Sequence, residues 1–231
     1  MPPGLHGQYT RRDQLDSRPN YAAAAGPPVP RGAPLRAAPR QPDYAGAGVD
    51  LLRRVNLAGG AGGKYENANP IFVDPRTGGT LYVGNHVIAG SRDELRAKGI
   101  TRIVFCQDND GKMHFRGDPT IKYLPFAIGR WTPRHTPRPD DVLAFFAPLF
   151  GFVDEELGAG RSVLIHCLAG AHRAGTAGTA CLMHLCGLRA PEAIATAKAA
   201  RPVIDPIYDF KQLLEMLDGA LHGPAAAAVR R

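Results

Sequence analysis

The stretch Val163–Thr176, VLIHCLAGAHRAGT, holds the residues whose spacing could do chemistry. An apolar run ends at His166, Cys167 follows, five residues intervene, and Arg173 opens a helix-forming segment. At the carboxyl end of a sheet strand, a loop of that length can curl so that successive N–H groups point inward. Such a nest holds a tetrahedral dianion. A helix starting at Arg173 adds its positive N-terminus, and the guanidinium adds a two-pronged, permanently charged donor. The same fields favour thiolate over thiol at Cys167. A thiolate beneath a bound phosphate is an in-line nucleophile for phosphoryl transfer. The phosphate-binding cradle is read as Leu168, Ala169, Gly170, Ala171, His172 and Arg173, its small residues permitting the tight curl. Cys106, Cys181 and Cys186 lack the pattern, because Lys112, Gly187 and Glu192 stand where the arginine belongs.

The elements that must position this loop are legible on either side. IFVD and TLYVG flank the turn PRTGG and read as a hairpin. Ser91 and Glu94 form the capping pair of a short helix that Gly99 ends. Ile100–Cys106 reads as a buried strand and Ile121–Ile128 as another. A helix follows over Asp140–Leu157, with Val142, Phe145, Phe146, Leu149, Phe152 and Val153 at helical spacing. Arg161–His166 is a third core strand, and helices near Arg173–Leu185, Pro191–Ala200 and Pro206–Leu221 close the chain. Strands alternating with helices predict an α/β fold with a central, mostly parallel sheet flanked by helices.

Composition bounds the rest. The 231 residues suffice for one domain plus tails. Residues 1–65 are rich in Pro, Gly, Ala and Arg, lack periodicity, and read as a disordered arm. Val49–Leu57 is its one stretch suited to a helical turn or docking segment. Residues 66–222 form the expected catalytic domain, and 223–231 a flexible tail. The net charge of +7 resides mainly in the arm, so no nucleic-acid-binding core is expected. No apolar run has membrane-spanning length. Four cysteines without a secretory signal point to a reducing compartment, cytoplasmic or nuclear, and a monomer is expected.

HCLAGAHRAG resembles the signature of cysteine-dependent protein phosphatases, specifically the small dual-specificity branch. LYVGNHVIAG, ITRIVFC, YLPFAI, the run up to SVLIHC, and RPVIDPIYDFKQLLEML extend that resemblance over roughly residues 70–220. It implies a cysteine-phosphatase-like fold, a phosphocysteine at Cys167, phosphate held by the backbone of Leu168–Arg173, no metal and no cofactor. The long tyrosine-recognition segment of tyrosine-specific relatives is not evident, which implies a cleft open to phosphotyrosine and phosphoserine or phosphothreonine on protein substrates.

Two departures stand out. The family's general acid is an aspartate in the loop after the YLPFAI-like strand. Here Gly129, Arg130 and Trp131 occupy those positions, leaving His135, Asp140 and Asp141 as candidate acids, with Asp140 or Asp141 also read as the N-cap of the following helix. The family's hydroxyl residue after the arginine is Ala174, with Thr176 one turn further on. Both point to slow or substrate-restricted turnover. His166 is read as orienting the loop and tuning the thiolate, and His172 as a rim residue. Cys181, His184 and Cys186 do not converge as metal ligands from one helix. Trp131 reads as lid or packing, and Arg201 and Phe210 as structural. Cys106 ends a strand expected beside that of Cys167. In some related phosphatases a cysteine there forms a reversible disulfide with the nucleophile, so the resemblance makes Cys106 a redox partner. Two other functions are compatible with these residues: a phosphate-recognising module with weak catalysis, and a phosphatase of lipid, RNA ends or glucan.

Overall fold

β1 (Ala68–Val73) and β2 (Thr80–Gly84) form the expected antiparallel hairpin. Asp74 fixes its turn. The carboxylate accepts the Arg76 N–H at 2.9 Å, while the Asp74 N–H donates to the Gly79 carbonyl at 2.8 Å. The remaining elements are α1 (His86–Gly90), α2 (Arg92–Ala97), β3 (Ile100–Phe105), β4 (Lys122–Pro125), a 3-10 turn at Ile128–Arg130, α3 (Pro139–Gly158), β5 (Ser162–His166), α4 (Arg173–Cys186), α5 (Ala190–Ala200) and α6 (Asp209–His222). This is a computed structural model. It describes residues 66–108, 111–132 and 136–223, together with Asp43, Gly46, Ala47 and Leu51.

The sheet order is β1-β2-β5-β3-β4, parallel except for the β1–β2 pair. β5 is central and covered on both faces, which is why VLI is continuously apolar. Val163 and Ile165 face the cluster built by α3, α4 and α6, while Leu164 faces Ile88, Leu95, Ile100 and Ile103. Each such side chain contributes about 1.5–3 kcal/mol by burial. α4 lies close against the sheet because Gly178 has no Cβ, which would stand 2.5 Å from Val83 Cγ2. Register aligns Gly84, His166 and Phe105 at the carboxyl ends of β2, β5 and β3. A crevice opens beyond such strand ends in parallel sheets.

Three elements differ from expectation. The strand expected over 121–128 stops at Pro125, on an edge strand where the missing N–H is tolerated. The last helix starts at Asp209 rather than 206, because Tyr208 at φ 52° is not helical. α1 was not foreseen. It forms because Asn85 Oδ1 accepts the N–H groups of Val87 and Ile88 at 2.9 and 3.3 Å.

Away from the site, buried Glu156 ties α3 to the strands through Arg102 Nε at 2.8 Å, Lys122 Nζ at 2.7 Å and Arg161. Burial pushes its pKa up, but these three donors outweigh burial and bring it down to about 2. Most of the arm, and residues 224–231, lie outside the described residues. Within the arm, Asp43 caps a helical turn, accepting the Gly46 N–H at 2.7 Å, and Leu51 packs against Ala169, Ala171 and Val203. No helix among the described residues is long and apolar enough to cross a membrane.

Candidate active site

The loop between β5 and α4 is held from behind, carbonyl by carbonyl. Leu168 O accepts from the His86 N–H at 3.1 Å and from His86 Nδ1 at 2.9 Å. Ala169 O and Gly170 O accept from Arg201 Nη2 and Nε at 3.2 and 3.0 Å. Ala171 O accepts the Asp205 N–H at 3.1 Å, and His172 O accepts the Thr176 N–H at 2.8 Å and its hydroxyl at 2.7 Å. In a trans peptide the C=O and the next N–H point in opposite directions. Five carbonyls turned outward therefore turn the N–H groups of residues 169–173 inward, above Cys167. The sequence predicts this nest, but not what ties it down.

Arg201 is the main tie. It is completely buried, and its Nη1 also donates to Glu66 O at 2.8 Å and Asn69 Oδ1 at 2.6 Å. Burial pulls its pKa down to about 10, partly offset by Cys167 and Glu66, so it is a cation near neutral pH. Gly170 at φ 68° completes the curl. A Cβ there would stand 2.3 Å from Gly84 O. Cys167 and Arg173 are both 3% exposed, so both side chains sit inside the crevice rather than on its rim.

His166 ends β5 fully buried, edge-on to Phe105 at 5.4 Å between ring centroids. Burial lowers its pKa to about 3, so the ring is neutral. A neutral ring lends Cys167 no charge, and its packing on Phe105 holds it at the junction of strand and loop. His172, expected at the rim, is buried, because its Nδ1 donates to Asp205 O at 2.7 Å. Thr176 also belongs to the loop. Its single hydroxyl proton goes to His172 O, so it stands in for loop support and not for the hydroxyl missing at Ala174.

The candidate acids fall differently from expectation. Neither Asp140 nor Asp141 is the N-cap, which is Arg138. Asp141 sits at the third helical position, where its carboxylate accepts the Arg138 N–H at 2.9 Å, and Asp140 is exposed in the first turn. His135 lies outside the described residues. The carboxylate set against the catalytic loop belongs to Asp108, which the sequence reading passed over. Asp108 Oδ2 lies 3.7 Å from Arg173 Nη1, and its Oδ1 lies 3.4 Å from Arg130 Nε. The available signal was an acid three residues beyond β3, the core strand neighbouring β5.

Cys106 is fully buried at the end of β3, its N–H donating to His166 O at 2.9 Å. Burial pushes its thiol pKa well up, and the nearby Cys167 adds to this. His184 pairs with Asp154 at 2.8 Å and stacks on Phe150 instead of joining Cys181 and Cys186. Trp131 packs on Phe145 at 4.8 Å, and Phe210 is core.

A buried cysteine beneath an inward ring of N–H groups, closed by a guanidinium fork, on a parallel sheet flanked by helices, defines the cysteine-phosphatase class of fold and site. Residues 81–218 match the family model described as the dual specificity phosphatase catalytic domain, and the chain belongs to that family. The Drosophila melanogaster dual specificity protein phosphatase Mpk3 is 30% identical over 156 residues, which are 67% of this chain and 35% of that protein. Dual specificity protein phosphatase 22-B of Danio rerio is 29% identical over 61% of this chain and 72% of its own length. The chain thus spans about a third of the fly relative. Among solved structures, a mouse dual specificity phosphatase complexed with zinc tungstate aligns with 72% of this chain and 96% of its own, at 25% identity and a TM-score of 0.53.

Proposed function

We propose that this protein hydrolyses phosphate monoesters on proteins, at phosphotyrosine and at phosphoserine or phosphothreonine, through a phosphocysteine intermediate. The observation that carries this reading is the five outward-tied carbonyls of residues 168–172, which turn the loop's N–H groups onto one side above Cys167 beside Arg173. Phosphate oxygens are taken by these N–H groups and by the Arg173 fork. Cys167 sulfur attacks phosphorus, the S–P bond forms, and the P–O bond to the substrate breaks as that oxygen gains a proton. Water then attacks phosphorus, the S–P bond breaks, and inorganic phosphate leaves with the thiolate restored. The mouse relative was solved in complex with zinc tungstate, and tungstate is a phosphate-shaped oxyanion, in keeping with a phosphatase reading. Ala169 and Ala171 add no charge to the cradle, which suits a single phosphate better than a polyanion.

Purified protein offered phosphotyrosine peptides, phosphothreonine peptides, inositol phospholipid vesicles, 5′-phosphorylated RNA and phosphorylated glucan tests the substrate class. Phosphate release is expected from the peptides. Preferential release from lipid, RNA or glucan overturns the protein-substrate reading, and tight peptide binding without release assigns a recognition module instead.

The resemblance-based pairing of Cys106 with Cys167 is proposed on the same site. Peroxide takes the Cys167 thiolate to a sulfenic acid, the Cys106 thiol attacks that sulfur, and water leaves as the disulfide forms. Peptide mapping of peroxide-treated protein is expected to recover the Cys106–Cys167 linked peptide. Sulfinic acid at Cys167 with no linked peptide contradicts it.

A further inference from the structure

We propose that Asp108, from the loop after β3, is the proton donor to the leaving oxygen. This rests on the phosphatase reading above. The family's acid is expected in the loop after β4, yet a cation, Arg130, stands there. Arg130 is not idle: its Nε lies 3.4 Å from Asp108 Oδ1, while the other carboxylate oxygen lies 3.7 Å from Arg173 Nη1. The position that has lost an acid therefore holds one supplied by the neighbouring strand end. Sheet register explains the reach. Phe105 pairs with His166, so the chain leaves β3 level with the point where β5 gives way to Cys167. Three residues beyond Phe105, the Asp108 side chain is one-fifth exposed and faces the phosphate-binding arginine.

The chemistry balances on these groups. With phosphate on the cradle, both prongs of Arg173 turn to phosphate oxygens, which leaves the Asp108 carboxyl to the leaving oxygen. Asp108 enters the first half-reaction carrying a proton. As the S–P bond forms and the P–O bond breaks, that proton passes to the departing oxygen. In the second half, the Asp108 carboxylate takes a proton from the attacking water while the S–P bond breaks, which restores the carboxyl. Arg130 is the positioning residue that keeps the carboxylate over the loop. The assignment also separates Asp108 from Asp140 and Asp141, which the start of α3 accounts for.

The test is a series of aryl phosphates of rising leaving-group pKa, from nitrophenyl to phenyl phosphate, and then phosphothreonine peptide. It is run on the full chain and on Asp108→Asn, Asp108→Glu, Asp140→Asn and Asp110→Asn, Asp110 being the other acid of the segment QDND that follows Cys106. The parent is expected to show a shallow dependence. Asp108→Asn is expected to lose about 10²–10⁴-fold on phenyl phosphate and far less on nitrophenyl phosphate. Asp108→Glu should recover part of that loss, and the two other variants should keep the parent slope. Tungstate binding, followed by thermal shift, is expected to persist in Asp108→Asn and reports that fold and cradle remain. A uniform loss across all leaving groups, a loss of tungstate binding, or a steep slope in Asp110→Asn or Asp140→Asn instead overturns the assignment while leaving the phosphatase reading intact. If the parent hydrolyses none of the esters, both fall.

Discussion

Cys167→Ser is expected to lower turnover of any phosphate ester by about 10⁴–10⁶-fold, the scale seen when a catalytic nucleophile is removed. An alcohol at this position is a far weaker nucleophile near neutral pH than a cysteine sulfur. The rest of the site does not depend on sulfur. The loop carbonyls remain tied by His86, Arg201, Asp205 and Thr176, so the inward N–H groups and Arg173 remain. Tungstate affinity measured by calorimetry should therefore stay within a few-fold of the parent. A serine variant that keeps a tenth of the activity removes the nucleophile from Cys167, and one that loses tungstate binding shows that the thiolate is part of the anion site's architecture.

Arg173→Lys is the second large effect, a fall in kcat/KM of about 10²–10³-fold, comparable to losing one preorganised donor to a developing charge. The side chain is 3% exposed and starts α4 directly above the loop. A lysine offers one point charge in place of two parallel N–H donors and does not span two phosphate oxygens. A change of less than about five-fold contradicts the two-pronged contact that the site requires.

The loop itself was legible in the sequence because everything it needs is local: an apolar strand, one cysteine, small residues, an arginine and a helix within fourteen positions. The hairpin and the helices were legible for the same reason, each carrying its period and its turn residues. What escaped was long-range. Arg201 ties the loop from 31 and 32 residues away, and Asp205 binds the loop at both Ala171 and His172. No local pattern marks either residue as part of the cradle. Asp108 was missed for a subtler reason. The sequence places the strand ending at Cys106 beside the strand feeding Cys167, but the family's acid lies in a different loop, so the pattern points away from that adjacency. The parallel register of β3 and β5 brings the QDND segment to the site. His172 read as a rim residue because its burial depends on Asp205 O, a partner 33 positions away.

Ala174 gives the central claim its most direct readout. The residue after the arginine has no hydroxyl, and Thr176 donates its own to His172 O, so neither offers a hydroxyl proton to the sulfur as it leaves phosphorus. Breakdown of the phosphoenzyme is then expected to be slower than its formation. Nitrophenyl phosphate mixed rapidly with the protein and quenched in acid should release a burst of nitrophenol close to one per chain. Peptide mass spectrometry of the quenched sample should carry one phosphoryl group on the peptide containing Cys167. A steady release with no burst and no phosphoryl group on that peptide, or a phosphoryl group found on another residue, contradicts the assignment of Cys167 as the nucleophile.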